Sequence, residues 1–160
     1  MLAVGAKHEK IAALVDRFRG REWDPHYLGF FECFNRQLYF EAHEVLEGLW
    51  LKQRGSPQAL FYKGLIQLAG AFVHLQKNRP RPAMALLGLA RQNLKPYPAY
   101  HQGLNLLKVL ALVDETIEEL KSAQPGGAPL FRPEASPRIF LGLKGQQTPG
   151  RAGEGNPGHP

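Results

Sequence analysis

Hydrophobic residues recur at helical spacing along most of this chain, whereas strand signals do not recur. The pattern first appears at Ile11, Leu14, Val15 and Phe18, which predicts an amphipathic helix ending near Gly20. Five further helices are predicted, over about 25–35, 38–53, 57–77, a segment ending near 94, and 99–122. This periodicity constrains the fold more than any other feature, because it favours helix packing on helix.

Proline and glycine mark where these helices begin and end. Asp24-Pro25 and Ser56-Pro57 each have an N-cap residue followed by proline at the first helical position. Residues 78–82 are predicted to be a turn, because a residue before proline is disfavoured in the helical region. Residues 96–98 break the chain again. We therefore predict an all-α fold, a single compact bundle of about six antiparallel helices.

Composition divides the chain into a bundle and a tail. The 160 residues are about one domain's worth of chain. From Ser122 onward, 39 residues contain seven of the 13 prolines and eight of the 17 glycines. We predict a helical bundle domain at 1–123 and an irregular tail at 124–160, with disorder from about Lys144. Residues 129–131 and 138–141 are apolar enough to lie back against the bundle.

Positive charge is concentrated in one region. The net charge is +6, yet no acidic residue occurs from Gly48 to Val113, a stretch that holds nine basic residues. Such a region attracts polyanions, and its best candidate anion contacts are Lys77, Arg79 and Arg81. One hypothesis is therefore a helical interaction module for an anionic partner. The alternative is a solvated basic face that has no partner.

The single cysteine and the lengths of the apolar segments exclude several classes of protein. Cys33 has no cysteine to pair with, so we expect a small buried hydrophobe rather than an intrachain disulfide or a cysteine-based metal site. The N-terminal residues lack the apolar stretch of a secretory signal. The most apolar segment, 64–75, is far shorter than the ~20 residues that span a bilayer. We expect a soluble cytoplasmic protein without membrane contact, and a homo-oligomer is left open.

The predicted third helix carries polar residues between apolar ones. His43 and Glu47 are four residues apart and lie on one helix face with apolar neighbours on both sides, while Glu44 lies nearer the solvent edge. An unpaired buried carboxylate is destabilising, so Glu47 is expected to have a partner, and His43 is the nearest.

The predicted fourth helix is apolar nearly all round, which places it centrally. Its polar exceptions, Gln67 and His74, are seven residues apart, with Lys63 alongside. Because a short connection makes the third and fourth helices neighbours, we predict a shared polar pocket between them. Its members are His43, Glu47, Gln67 and His74, walled by Trp50 and Tyr39.

Several hypotheses fit this pocket. His43, Glu47 and His74 would hold a divalent metal with open coordination positions. His43, Glu44 and Glu47 are the candidates for acid–base or hydrolytic catalysis. A third hypothesis is a small polar ligand bound by Trp50, Gln67 and Tyr39 without chemistry, and a fourth is a structural network that fixes helix register.

Two sequence strings carry a family resemblance. The run from Phe34 to Trp50 contains FEAHEVLEGLW, and KGLIQLA follows at 63–69 with a histidine at position 74. Together they resemble the bacterial family known as domain of unknown function 309, over about 27–94 and more loosely to 120. The resemblance implies a small all-helical bundle and no particular reaction. It maps the family motif onto His43, Glu44, Glu47, Trp50, Gly64, Gln67 and His74. Residues 77–83 depart from the family's usual turn, and the tail lies outside the match.

Overall fold

The structure, a computed structural model, describes residues 4–142, with side chains from residue 9. Six α-helices occur in this part of the chain, which confirms the all-α prediction. They are α1 (Val4–Arg17), α2 (Pro25–Asn35), α3 (Tyr39–Lys52), α4 (Ala59–Gln76), α5 (Pro80–Leu94) and α6 (Leu106–Lys121). The disorder expected from Lys144 falls on residues outside the described range.

Helix α4 is the centre of the bundle, as its sequence predicts. Its buried residues occur on almost every side, and it packs most extensively against α5 and α3. Aromatic rings from α2 and α3 pack around it. Phe34 and Tyr39 contact Phe72 of α4, and Tyr27 contacts Phe61. Because two faces of α4 are buried, the positions of α3 and α5 are fixed by their packing against it.

The proline-based helix starts are partly as predicted. Asp24 caps α2, since its carboxylate accepts a hydrogen bond from the backbone N–H of His26 at 2.8 Å. Helix α4 begins at Ala59, two residues later than Ser56-Pro57 indicated. The predicted turn at 78–82 is wrong in its second half, because Pro80 and Pro82 lie in the first turn of α5. No intrahelical bond is lost there, because those N–H positions have no partner within a helix.

The sixth helix is shorter than predicted. Residues 100–105 form an antiparallel hairpin of β1 (Tyr100–His101) and β2 (Leu104–Asn105), and α6 follows directly. Gln102 and Gly103 both have positive φ, 49° and 74°, which is the backbone of a two-residue hairpin turn. The prediction that helix covers 99–105 is therefore wrong, and so is the placement of His101 in a helix.

Residues 128–142 form what we call the C-terminal strap, an irregular segment that lies against the bundle. The Asn35 side chain donates to the Ile139 carbonyl at 2.9 Å and accepts from the Ile139 N–H at 2.7 Å. Leu130 and Phe131 pack against the core. The apolar parts of the predicted tail therefore lie on the bundle, except for Phe140, which is exposed.

Two helix ends hold this strap. Gln37 after α2 and Asn78 after α4 both have left-handed backbone, φ 63° and 55°, and each ends its helix in a Schellman motif. The Gln37 amide donates to the Pro133 carbonyl at 2.9 Å, and Asn78 accepts from the Leu130 N–H at 3.1 Å. The same residues that end the helices therefore anchor the strap.

Gly64 permits the close approach of α4 and α5, and its replacement tests this packing. A Cβ at Gly64 would lie 2.6 Å from Leu94 Cγ, whereas a Cβ at Gly88 would meet nothing within 4 Å. We predict that Gly64→Ala lowers the free energy of unfolding by about 1–3 kcal/mol, the usual effect of overpacking. Gly88→Ala, the matched control, should leave it unchanged or raise it by up to about 1 kcal/mol. Urea unfolding measures both, and equal stabilities would contradict the packing.

Candidate functional site

The side chains of His43, Glu44 and Glu47 come together on α3. Ligand atoms of these three residues all lie within 4.8 Å of one another, and all three residues are partly buried. His43 Nδ1 is 3.7 Å from a Glu44 carboxylate oxygen. The grouping follows from helix geometry, because Glu47 is four residues from His43 and three from Glu44, the spacings at which side chains on a helix are neighbours. We call these residues the His43 group.

A pocket of about 310 Å³ opens next to this group, between α3, α4 and α5. Its apolar lining consists of Phe40, Ile66, Gly70, Val73 and Leu86. Its polar lining consists of His43, Lys63, Gln67 and His74. His43 thus belongs both to the group on α3 and to the pocket wall. This size is at the lower end of the range for sites that bind small molecules.

The relative direction of α3 and α4 explains why these residues meet. Near the end of α3, Trp50 packs against Lys63 near the start of α4, with Lys63 Nζ 4.2 Å from the ring centroid. His43 near the start of α3 shares the pocket with His74 near the end of α4. The two helices are therefore antiparallel neighbours, as the short connection predicts.

Gln67 has a fixed orientation in this pocket. Its side-chain oxygen accepts a hydrogen bond from the Asn93 amide of α5 at 2.8 Å. With the oxygen occupied in this way, the amide nitrogen of Gln67 is the end that retains two donors. Asn93 was not among the sequence-predicted residues, because its partner lies on another helix, 26 positions away.

His74 and His43 each have a buried ring nitrogen without a hydrogen-bond partner among residues 4–142, in both cases Nδ1. Burial, and next the positive charges of Arg79 and Lys77, lower the pKa of His74 from its ordinary value of 6.5. His74 is therefore neutral at pH 7, the state in which an imidazole accepts a hydrogen bond or binds a metal.

The structure differs from the sequence hypothesis in how the metal candidates group. The geometric group contains Glu44 in place of His74, which lies across the pocket on α4. Tyr39 does not line the pocket, because its ring is buried in the core against Phe34 and Phe72. Burial raises the pKa of Tyr39 to about 12. Trp50 also lies outside the lining, and it contacts Lys63, which does line the pocket.

The predicted anion contacts lie at the junction of α4 and α5. Lys77, Arg79 and Arg81 are exposed, and none of them forms an ion pair with a residue in the range 9–142. Arg91, further along α5, does form one, with Asp114 of α6 at 2.8 Å. The charge of Arg91 is thus neutralised by an acidic residue of α6, whereas the basic residues next to His74 have no ion-pair partner in residues 9–142.

A larger cavity, about 620 Å³, lies under the C-terminal strap, beside α6 and the end of α4. Its charged lining residues are Glu115, Glu119 and Arg132. None of the candidate site residues named from the sequence lines this cavity, whereas Leu130 and Phe131 of the strap do. The pocket at His43 is smaller, but it holds the imidazoles and the lysine, so we regard it as the candidate site.

Cys33 takes no part in either cavity. It is buried, as expected, and burial together with the nearby charges of Glu41 and Glu32 raises its pKa to about 11. The thiol therefore stays protonated and packs as a small hydrophobe.

Comparison with known families bears directly on the part of the chain that contains the candidate site. The family model described as Domain of unknown function (DUF309) matches residues 27–86. Residues 27–86 of this chain are therefore similar to that family. The matched segment runs from α2 into α5 and so includes the His43 group and all nine residues that line the pocket. No curated protein and no solved structure matches the chain.

Among the helices of residues 4–142, none has both the length and the apolar character that a bilayer span requires.

The lowered pKa of His74 leads to a pH prediction. The folded state binds fewer protons at this residue than the unfolded state, so acidification through the unfolded pKa near 6.5 favours unfolding. We predict that an NMR titration gives His74 a pKa below 6.5 and that Arg79→Gln moves it upward. We also predict that His74→Gln loses less stability than the wild type between about pH 7.5 and 5.5. A His74 pKa at or above 6.5 would contradict the environment described.

Proposed function

We propose that this domain binds a divalent transition-metal ion at the His43 group. The observation that carries the proposal is the distance of at most 4.8 Å between the ligand atoms of His43, Glu44 and Glu47. Two ligands of one zinc ion are about 3–4 Å apart, because each lies about 2 Å from the metal. Small changes of side-chain torsion on α3 therefore suffice to close the site.

The donor set and its surroundings support this proposal. One imidazole with two carboxylates is a combination that zinc and related ions accept, and three protein ligands leave positions open for water or a ligand. His43 has a buried Nδ1 without a hydrogen-bond partner in residues 4–142, which costs free energy unless a further group satisfies it. The open positions would face the pocket, because His43 also lines it. A metal-bound water at such a position is a nucleophile suited to hydrolysis.

Metal titration tests the proposal. We predict that the chelator-treated wild-type chain binds one Co²⁺ or Zn²⁺ per chain by calorimetry. Glu47→Gln and His43→Asn should each weaken binding by at least about tenfold, since each removes a ligand. Glu41→Gln, one turn earlier on the same helix and outside the group, is the matched control and should bind as the wild type does.

Two results would contradict metal binding. One is the absence of stoichiometric metal in the wild type. The other is a Glu47→Gln variant that melts at a lower temperature while binding metal unchanged, which would assign the His43 group a purely structural role.

The basic junction of α4 and α5 supports a second proposal, an anionic macromolecular partner. Lys77, Arg79 and Arg81 are exposed and have no ion-pair partner in residues 9–142. Phosphate contacts of this kind are strongest at low salt. Binding of a single-stranded oligonucleotide at about 50 mM salt, lost in the triple alanine variant of these residues, would support it. No binding at that salt would contradict it.

A further inference from the structure

The pocket beside the His43 group has a distinct charge. Its polar lining is one lysine, one amide and two imidazoles, and no carboxylate from the described residues lines it. Lys63 forms no ion pair with residues 9–142, so its positive charge is not neutralised by the protein. A pocket that offers donors and a free cation is complementary to an anion.

Helix α4 presents these groups as a single stripe. Lys63, Gln67, Gly70 and His74 follow one another at intervals of four, three and four residues, so they lie along one face. Lys63 is held at one end by Trp50, with 4.2 Å between Nζ and the ring centroid. This cation–π contact orients the ammonium group without cancelling its charge. One turn along, the Gln67 amide is fixed by Asn93, so its N–H donors are left for a ligand.

The rest of the lining is apolar. Phe40 comes from α3, Val73 from α4 and Leu86 from α5. Gly70 keeps this part of the pocket open, because a Cβ there would already lie 3.2 Å from a Leu86 methyl group. The volume of about 310 Å³ suits a small organic molecule rather than a polymer segment.

We infer that the pocket binds a small organic anion, a carboxylate or phosphate monoester carried on an aromatic or branched apolar body. Its anionic oxygens would accept hydrogen bonds from Lys63 and Gln67, and its apolar body would pack against Phe40, Val73 and Leu86. This inference rests on the proposed function, because it names the ligand that the open positions of the cation would face. The charge of the pocket itself does not depend on the cation.

The test uses the full-length chain and named probes. Phenyl phosphate and benzoate are titrated into the isotopically labelled protein, once with chelator and once after Co²⁺ or Zn²⁺ loading, and amide and indole N–H shifts are followed by NMR. Benzyl alcohol is the neutral probe of the same shape. Inorganic phosphate shows whether the charged group binds without the apolar body.

We expect one of the two anions to bind with shifts at Gln67, Val73 and the Trp50 indole, and to bind at least about tenfold more tightly than benzyl alcohol. Lys63→Met should weaken this binding by at least about tenfold, and Lys63→Gln should do the same if the methionine variant fails to fold. Lys52→Met, which removes a lysine of α3 outside the pocket, is the matched control and should leave binding unchanged.

Three results would overturn the inference. They are the absence of shifts with either anion at about 10 mM, equal binding of benzyl alcohol, and anion binding that survives Lys63→Met but is lost in Arg79→Ala. The last would place the anion at the junction of α4 and α5.

Failure of the proposed function is distinguishable from these three results. If calorimetry shows no metal while the chelated chain still binds the anion through Lys63, the metal proposal alone fails. If metal binds and no anion does, this inference alone fails.

Discussion

The close packing of α4 against α5 and α3 is the constraint on which the rest of the structure depends. Gly64 brings α4 so near α5 that one added carbon would overlap Leu94. Because α4 is buried on nearly all sides, its one polar stripe lies in the pocket between α3, α4 and α5. The candidate site is therefore a consequence of helix packing: the antiparallel arrangement of α3 and α4 brings His43 to His74 and Trp50 to Lys63.

The C-terminal strap and the hairpin support this arrangement from outside. The strap ties the ends of α2 and α4 together through Asn35, Gln37 and Asn78, and Gly142 donates to the Gly103 carbonyl of the hairpin at 2.8 Å. The Tyr27 hydroxyl of α2 in turn donates a hydrogen bond to the Gln102 carbonyl of the hairpin. These polar contacts join residues far apart in sequence, and they involve none of the residues that line the pocket.

Sequence periodicity was sufficient to predict helices α2, α3 and α4 within about two residues, since each has a face of buried apolar residues. It also predicted the end of α5 near Leu94, but not its start at Pro80. It was insufficient for the hairpin, because the apolar residues of 104–120 fit a helix and a two-residue turn leaves little local signal. Of the predicted pocket residues, His43, Gln67 and His74 line one pocket, whereas Glu47 is not among its lining residues. The contribution of Asn93, and the burial of Tyr39 against Phe34 and Phe72, depend on long-range contacts that helical spacing does not specify. The sequence also did not specify which three residues would hold a metal. The distances within α3 follow from helix geometry, but the distance from α3 to His74 depends on how the two helices pack.

The central claim is that α3 presents a metal-ion site at the edge of an anion-binding pocket, and anomalous X-ray diffraction tests it most directly. Crystals of the wild-type chain grown with Co²⁺ should show one anomalous peak within about 2.3 Å of a His43 ring nitrogen and of oxygens from Glu44 and Glu47. A peak located only at other histidines, such as His26 or His101, or no peak beside His43, would contradict the account.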